Sequence, residues 1–377
     1  MKKDAHYYAL LAMSRSVGIE KETAHKIAYA SQFVDDAKVN KITLAADNPS
    51  DLLSQLGDEI INAATCHSYS DLSTYNYSSM TANTSAFHFV PGCEGRNFPK
   101  KMRCKKESKI IKSIVEEAVN NADPIKLGIT LHAYADTFSH QGFSGIASKV
   151  NDVEGVRENN QIYISNYQLL KEKRWKEIGT RITTFLSELI KDRVVPAYGH
   201  GQVYSYPDIP YLEWRYEYDA TDNFSSQYQV SRVKNTERFI EALKKIKDIL
   251  QKFLENNNQY RDDSIVEVDY EEFNSILTAR KVEEERIADW KDFMLTKGLL
   301  SSSDQNIIEY DHNIWLKEAF KDFINCDFER RIVNDVHLAD DFLQSNWYQY
   351  YQGIQWYKQL FFKAAEKNGL SIPNNYS

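Results

Sequence analysis

The chain has 377 residues, 42 % hydrophobic and 27 % charged, with a formal net charge of -8. This is the balance of a globular chain: no apolar run approaches the roughly 20 residues of a membrane span, and the negative charge argues against general attraction to nucleic acid or an anionic surface. Cys66, Cys93, Cys104 and Cys326 are scattered without a CxxC pair, so neither a disulfide framework nor a thiolate zinc site is indicated.

In chain order, the opening MKKDAHYYALLAMSRSVG reads as an amphipathic helix from Ala5 to Val17. Asp4, His6, Ser14 and Arg15 interrupt its apolar patch and no small-residue cleavage site stands out, so a cytoplasmic protein is expected. Apolar periodicity predicts further helices over Lys21 to Asp36, Leu52 to Ala64, Ser108 to Ala122, Pro124 to His140 and Asn166 to Lys191. Beyond about residue 225, SRVKNTERFIEALKKIKDILQKFLENNN and SNWYQYYQGIQWYKQLFFKAAEKNG carry long helices, joined through an acidic connector. Runs of period two are short and rare. The expected class is mainly α, divided into a ligand-rich part, 1–215, and a helical extension, 216–377, or forming one continuous domain.

Within the helix predicted over Pro124 to His140, His132, Asp136 and His140 recur every four residues in an otherwise apolar run. Such residues are separated by about 6 Å along the axis and turned by about 40°, so each neighbouring pair can converge on one ion. The two histidines are about 12 Å apart along the axis, too far to grip one zinc at Zn–N distances of about 2 Å. Metal binding by all three therefore requires more than one ion, with the two oxygens of Asp136 available to bridge. Hydrogen-bonded core residues are the bland alternative.

Other histidines stand in similar company. His6 follows Asp4 in DAHYY, and His88 lies between two phenylalanines in FHFVPG. His200 lies between two glycines in YGHGQVYSYPDIPY, with Asp208 eight residues on. Asp35 and Asp36 end a helix, where the dipole disfavours negative charge and a bound cation would relieve the penalty. His plus carboxylate without thiolate suits zinc or another first-row divalent ion, and the number of donors suits a multinuclear hydrolytic site. GxSxG, GxxxxGK[ST] and adjacent His-Asp pairs do not occur. The basic segment Arg96 to Lys109 reads as a solvated loop, the aromatic stretch Trp347 to Phe362 as packing, and His312 and His337 as structural or surface residues.

The order of these residues, and the motifs DAHYYALLAMSRSVG, YASQFVDDA, FHFVPG, LHAYADTFSHQGFSG and GHGQVYSYPDIPY, resemble the zinc-dependent phospholipase C and P1/S1 nuclease superfamily, through an uncharacterised bacterial branch. The resemblance covers roughly residues 1–215. It implies a helical core holding two or three zinc ions that hydrolyse phosphodiesters with a metal-activated hydroxide. By position, His6 and Asp4 would serve one metal and Asp35 or Asp36 would bridge. His88, His132 and Asp136 would complete the paired site, while His140, His200 and Asp208 would hold the remaining ion. Those enzymes use the amino group of their mature N-terminus as a ligand, for which Asp4 is the expected substitute here. A phospholipid substrate would find an apolar rim in Phe138, Phe143, Tyr204, Tyr206, Tyr211 and Trp214. A nucleotide or nucleic acid would find the same tyrosines beside Arg96, Lys100 and Lys101. A non-catalytic scaffold, stabilised by metals and meeting a protein partner through residues 216–377, is the alternative reading.

Overall fold

A computed structural model describes residues 1–66, 76–158, 164–165, 197–219, 228–264 and 268–373. The chain is mainly helical. The strongest apolar periodicities become helices Lys21–Asp36, Lys109–Asn120, Pro124–Ser139, Asn235–Asn256 and Asn346–Lys367. The helix expected over Asn166 to Lys191, and His67, lie outside the described residues.

Local chemistry fixes the limits of the helix that carries His132 and Asp136. The Asp123 side chain accepts hydrogen bonds from the amides of Ile125 and Lys126, and Pro124 occupies the first turn, where its missing N–H costs nothing. Gly142, at φ +90°, turns the chain away after His140. The helix is buried along almost its whole length, because it lies between Lys21–Asp36 on one side and Lys109–Asn120, Asn235–Asn256 and Asn346–Lys367 on others. Gly128 permits the closest of these approaches. A Cβ there would stand 2.2 Å from the Ile27 carbonyl oxygen.

Two short π-helical stretches interrupt the regular pattern, Asp4–Ala9, which runs on into the helix Leu10–Ser16, and Met80–His88. Each carries a candidate ligand, His6 or His88. The Phe89 amide reaches back five residues to the Thr84 carbonyl. Such wide turns rotate the following side chains relative to an ordinary helix and recur at functional sites.

Strands are more prominent than the sequence pattern suggests. The helix expected over Leu52 to Ala64 ends at Leu56, where Gly57 takes φ +77°, and the chain continues as a strand. Strands β1 (Lys41–Leu44), β2 (Glu59–Ile61) and β7 (Ile332–Val336) form one sheet, with β1 antiparallel to β2 and parallel to β7. Strands β3 (Val153–Glu158), β4 (Ile164–Ser165), β5 (Glu213–Asp219) and β6 (Tyr228–Lys234) form a second, antiparallel sheet in the order β4-β3-β5-β6. In β5, Trp214 and Tyr216 face inward, and with Phe89, Phe143, Val203 and Leu212 they build a small second core. This corrects the apolar-rim expectation: Phe138, Phe143 and Trp214 are buried, and Tyr206 packs against that core.

The main core runs through both expected parts of the chain, from Tyr7 to Ile372. The boundary at 215/216 falls inside β5, which pairs with β6 along its length. The C-terminal aromatic helix packs inward, with Trp347, Tyr350, Tyr357 and Phe361 buried. No helix among the described residues is long and apolar enough to cross a membrane. His312 and His337 lie at the surface, but not without acidic neighbours: His312 meets Glu329, and His337 is held between Asp322 and Asp47. Lysines of the basic segment are likewise committed, Lys105 to Glu94 and Lys106 to Glu241, while Lys100 is buried.

Candidate metal centre

Asp136 is the hub of a buried polar cluster. Its Oδ2 lies 3.3 Å from His88 Nδ1 and 3.4 Å from His132 Nε2, and these two nitrogens are 3.2 Å apart. Asp35 Oδ1 stands 3.7 and 3.8 Å from the same nitrogens. Four ligands at bond lengths of about 2.0–2.1 Å around a tetrahedral zinc are separated by about 3.3–3.4 Å, so the donor atoms already stand at the edges of a coordination shell. The other oxygen, Oδ1, faces a second group: the Met1 α-ammonium at 2.5 Å and His6 Nε2 at 3.1 Å. The His6 ring also stacks on His132, 3.9 Å between centroids, and His6, Asp35 and His132 can together converge on one ion.

A third set lies at the other end of the ligand helix. His140 Nε2 is 2.9 Å from Asp208 Oδ1, and His200 Nε2 is 3.4 Å from Asp208 Oδ2. The Met1 ammonium links it to the hub, 3.1 Å from Asp208 Oδ1. The Phe89 ring stacks on His140 and leans on His200, so the second core is the floor of this set. His140 and Asp136 thus serve different sets instead of chelating together.

The outer ring nitrogens decide what the inner ones can do. His88 Nε2 donates to the Thr65 carbonyl at 3.1 Å, His140 Nδ1 to the His88 carbonyl at 2.7 Å, and His200 Nδ1 to the Tyr204 carbonyl at 2.5 Å. Because a carbonyl only accepts, a proton sits on each outer nitrogen, so the inner nitrogen offers a lone pair whenever the ring is neutral. That lone pair then faces a carboxylate oxygen, also an acceptor. Acceptor against acceptor near 3 Å, away from water, is unfavourable without a proton or a cation between them. Tyr204 holds its carbonyl in place by adopting φ +53°, and Gly199 precedes the histidine at φ +52°.

Protonation follows the same logic. Burial keeps His6 and His132 well toward the neutral form, and it pushes His200 down to about 4 against the opposing pull of Asp208. Burial alone would lower His140 too, but Asp136 and Asp208 raise it. Burial opposes ionisation of Asp136 and Asp208, yet the surrounding histidines and the ammonium hold both carboxyls below the usual carboxylate range. Neutral imidazole and ionised carboxylate are the forms that bind metal.

Of the residues expected at the site, His6, Asp35, His88, His132, Asp136, His140, His200 and Asp208 come together in the three donor sets. Asp4 and Asp36 do not join these sets. Asp4 is buried against Arg286, whose Nε donates to its Oδ2 at 2.5 Å, and the Met1 α-amine stands where Asp4 was expected to substitute. Asp36 accepts from the Tyr310 hydroxyl at 2.6 Å and from the Gln32 amide at 3.2 Å, at the lip of the site instead of inside it. The contributions of Arg286 and Tyr310 had no signal in the sequence, since each lies more than 270 residues from its partner.

Fold and site together define the class: a mainly helical protein with clustered histidine and carboxylate donors, suited to divalent cations, in its buried centre. Residues 1–365 match the Family of unknown function (DUF6765), and the chain belongs to that family. No curated protein and no solved structure matches it.

Proposed function

We propose that this protein is a zinc-dependent phosphodiester hydrolase, phospholipase C-like or nuclease-like in its chemistry. The observation that carries the reading is the arrangement of three donor sets in and beside the Asp136 cluster, each containing a carboxylate and histidines, with His88, His140 and His200 turned inward by backbone carbonyls.

His88, His132 and Asp136 would hold one ion, His6 and Asp35 would serve a neighbouring one, and His140, His200 and Asp208 would hold the remaining one. Bound zinc supplies an activated water at neutral pH and charge stabilisation at a phosphoryl oxygen. Asp136 presents one oxygen to His88 and His132 and the other to His6, and would serve the ions held on either side. Asp35 keeps 30 % of its side chain exposed while its neighbours are nearly sealed, which places it where substrate would arrive. Without metal, burial pushes its carboxyl upward, with His88 opposing and Asp136 adding to the rise. A purely structural site closes every coordination position with protein. The exposed edge at Asp35 therefore favours catalysis over a scaffold role.

The test is metal content by plasma mass spectrometry on protein purified without chelator or histidine tag, followed by hydrolysis of bis-p-nitrophenyl phosphate on the same sample. Wild type is expected to hold two or three equivalents of zinc and to turn the ester over. Asp136→Asn should lose metal and activity, whereas His337→Ala, altered only at the surface clip between Asp322 and Asp47, should keep both. Equal metal content in wild type and Asp136→Asn would overturn the site assignment.

A further inference from the structure

A cleft of about 320 Å³ opens directly onto the donor sets and shares Met1 and Asp35 with them. The rest of its wall is polar: Lys2, Lys3, Gln32, Asp36, Tyr310 and His312, with Glu283 at the rim. Lys2 is engaged with Glu283 at 3.4 Å and His312 with Glu329 at 3.2 Å. Lys3 makes no hydrogen bond or ion pair with any described residue. The acceptors and donors of Asp36, Gln32 and Tyr310 are fixed to one another and so form a preset pattern instead of a mobile surface.

The chemistry of this wall discriminates between substrates. A diacyl phospholipid requires apolar surface at the mouth for its chains, but Phe138, Phe143 and Trp214 are buried in the cores and none of the expected rim aromatics lines this cleft. A nucleic acid requires flat aromatic platforms on which bases stack, but the Tyr310 ring of the wall is packed against Tyr7 and Tyr29 and His312 is tied to Glu329. A volume near the lower end of ligand-binding pockets, roughly 300 Å³, suits a small polar group. A carboxylate, an amide and a phenol beside an uncommitted ammonium match a group rich in hydroxyls attached to a phosphate.

Resting on the hydrolase reading above, we infer that this cleft receives the polar arm of a small, water-soluble phosphodiester bearing a polyhydroxylated group, with Lys3 directed at its anionic charge. The reaction balances as simple hydrolysis: water adds across one P–O bond, giving a phosphomonoester and an alcohol, with no oxidant or reductant.

The experiment compares kcat/KM of the metal-loaded enzyme for glycerophosphoinositol, for the dinucleotide of thymidine and for vesicles of dioleoylphosphatidylcholine, with bis-p-nitrophenyl phosphate as the reference ester. Glycerophosphoinositol binding is also measured directly by calorimetry, for wild type and for Lys3→Ala. We expect glycerophosphoinositol to be preferred over the dinucleotide and the vesicles by about tenfold or more. Lys3→Ala should weaken its binding by about tenfold, the size of one charge-assisted contact, and should raise KM for it more than for the reference ester. Turnover of the reference ester with a preference for vesicles or dinucleotide, or equal losses on all substrates in Lys3→Ala, would overturn this inference and leave the hydrolase reading standing. Bound zinc without turnover of any ester would overturn the hydrolase reading, and the calorimetry would still judge the cleft. Undetectable binding to wild type would overturn it.

Discussion

At the scale of single residues, burial of ionisable groups outside the site makes stability depend on pH. His25 is packed edge-on between Tyr7 and Tyr29, and its Nε2 is buried without a hydrogen-bond partner. Burial, helped by Lys26, lowers it from 6.5 to about 4. Its folded value lies below its unfolded one, so the unfolded chain binds the proton more readily between those values, and stability must rise with pH from about 4 to about 6.5. The full effect is of order 3 kcal/mol, at 1.36 kcal/mol for each pH unit. Thermal melts in chelator should therefore climb across that window, and His25→Phe, close in size and unable to ionise, should make the climb less steep, the buried histidines of the site carrying the remainder. An unchanged slope in the variant would show that other groups carry the linkage. The same scale shows what the sequence could reveal. His132 and Asp136 were legible as partners because four residues in a helix fix their relation. Met1 and Arg286 were not, because their partners are set by how distant segments pack.

At the scale of elements, the site depends on how closely the ligand helix approaches its neighbours. Gly128 lets Pro124–Ser139 touch Lys21–Asp36, the helix that ends in Asp35. Gly128→Ala drives a methyl group into the Ile27 carbonyl and the Ala30 side chain. Overpacking of this kind costs about 1–3 kcal/mol, and because the crossing also sets the distance from Asp35 to His132, zinc affinity should fall together with stability. Urea melts and metal titration of the variant check both. Arg286 is a second such device. It ties Glu283–Thr296 to the π-helical stretch that carries His6, and both members of its pair with Asp4 are almost fully buried. Arg286→Leu leaves a buried carboxylate without its partner, which costs about 3–5 kcal/mol, whereas Asp4→Asn with Arg286→Met should recover much of the loss. Failure of the double variant to recover in urea melts would show that Arg286 matters for its shape instead of its charge. The helices were readable from their period. The second sheet was less so: β5 does alternate, Trp214 and Tyr216 inward against Glu213, Arg215 and Glu217, but its partner β3 lies far off in the chain, and short strands have no period of their own long enough to stand out.

At the scale of the whole molecule, the ligands and the elements that hold them do not divide at the same point in the chain. Every candidate ligand lies within residues 1–208, which is why the sequence suggested a separate metal-binding part ending near 215. The helix that bears His132 and Asp136, however, owes part of its burial to Asn235–Asn256 and Asn346–Lys367. Arg238, from the first of these, donates to the Ser139 carbonyl at 3.1 Å, at the end of the ligand helix just before His140. Tyr357, from the second, donates to the Ala86 carbonyl at 2.9 Å, two residues before His88. Each apolar side chain buried in such a helix contributes about 1.5–3 kcal/mol, so losing Phe239, Leu250, Phe253, Tyr350, Tyr357 and Phe361 together removes about 9–18 kcal/mol, as much as the roughly 5–15 kcal/mol by which domains are stable. A chain ending at residue 215 would also cut β5 in two and leave Trp214 without the Asn235 side chain that accepts from its indole N–H. Such a fragment is therefore expected to lack cooperative unfolding and to bind no stoichiometric zinc, even with all eight ligand side chains present. Circular dichroism melts and metal titration of residues 1–215 decide the matter, since a folded, zinc-loaded fragment would mean that the second half rests on the site without building it.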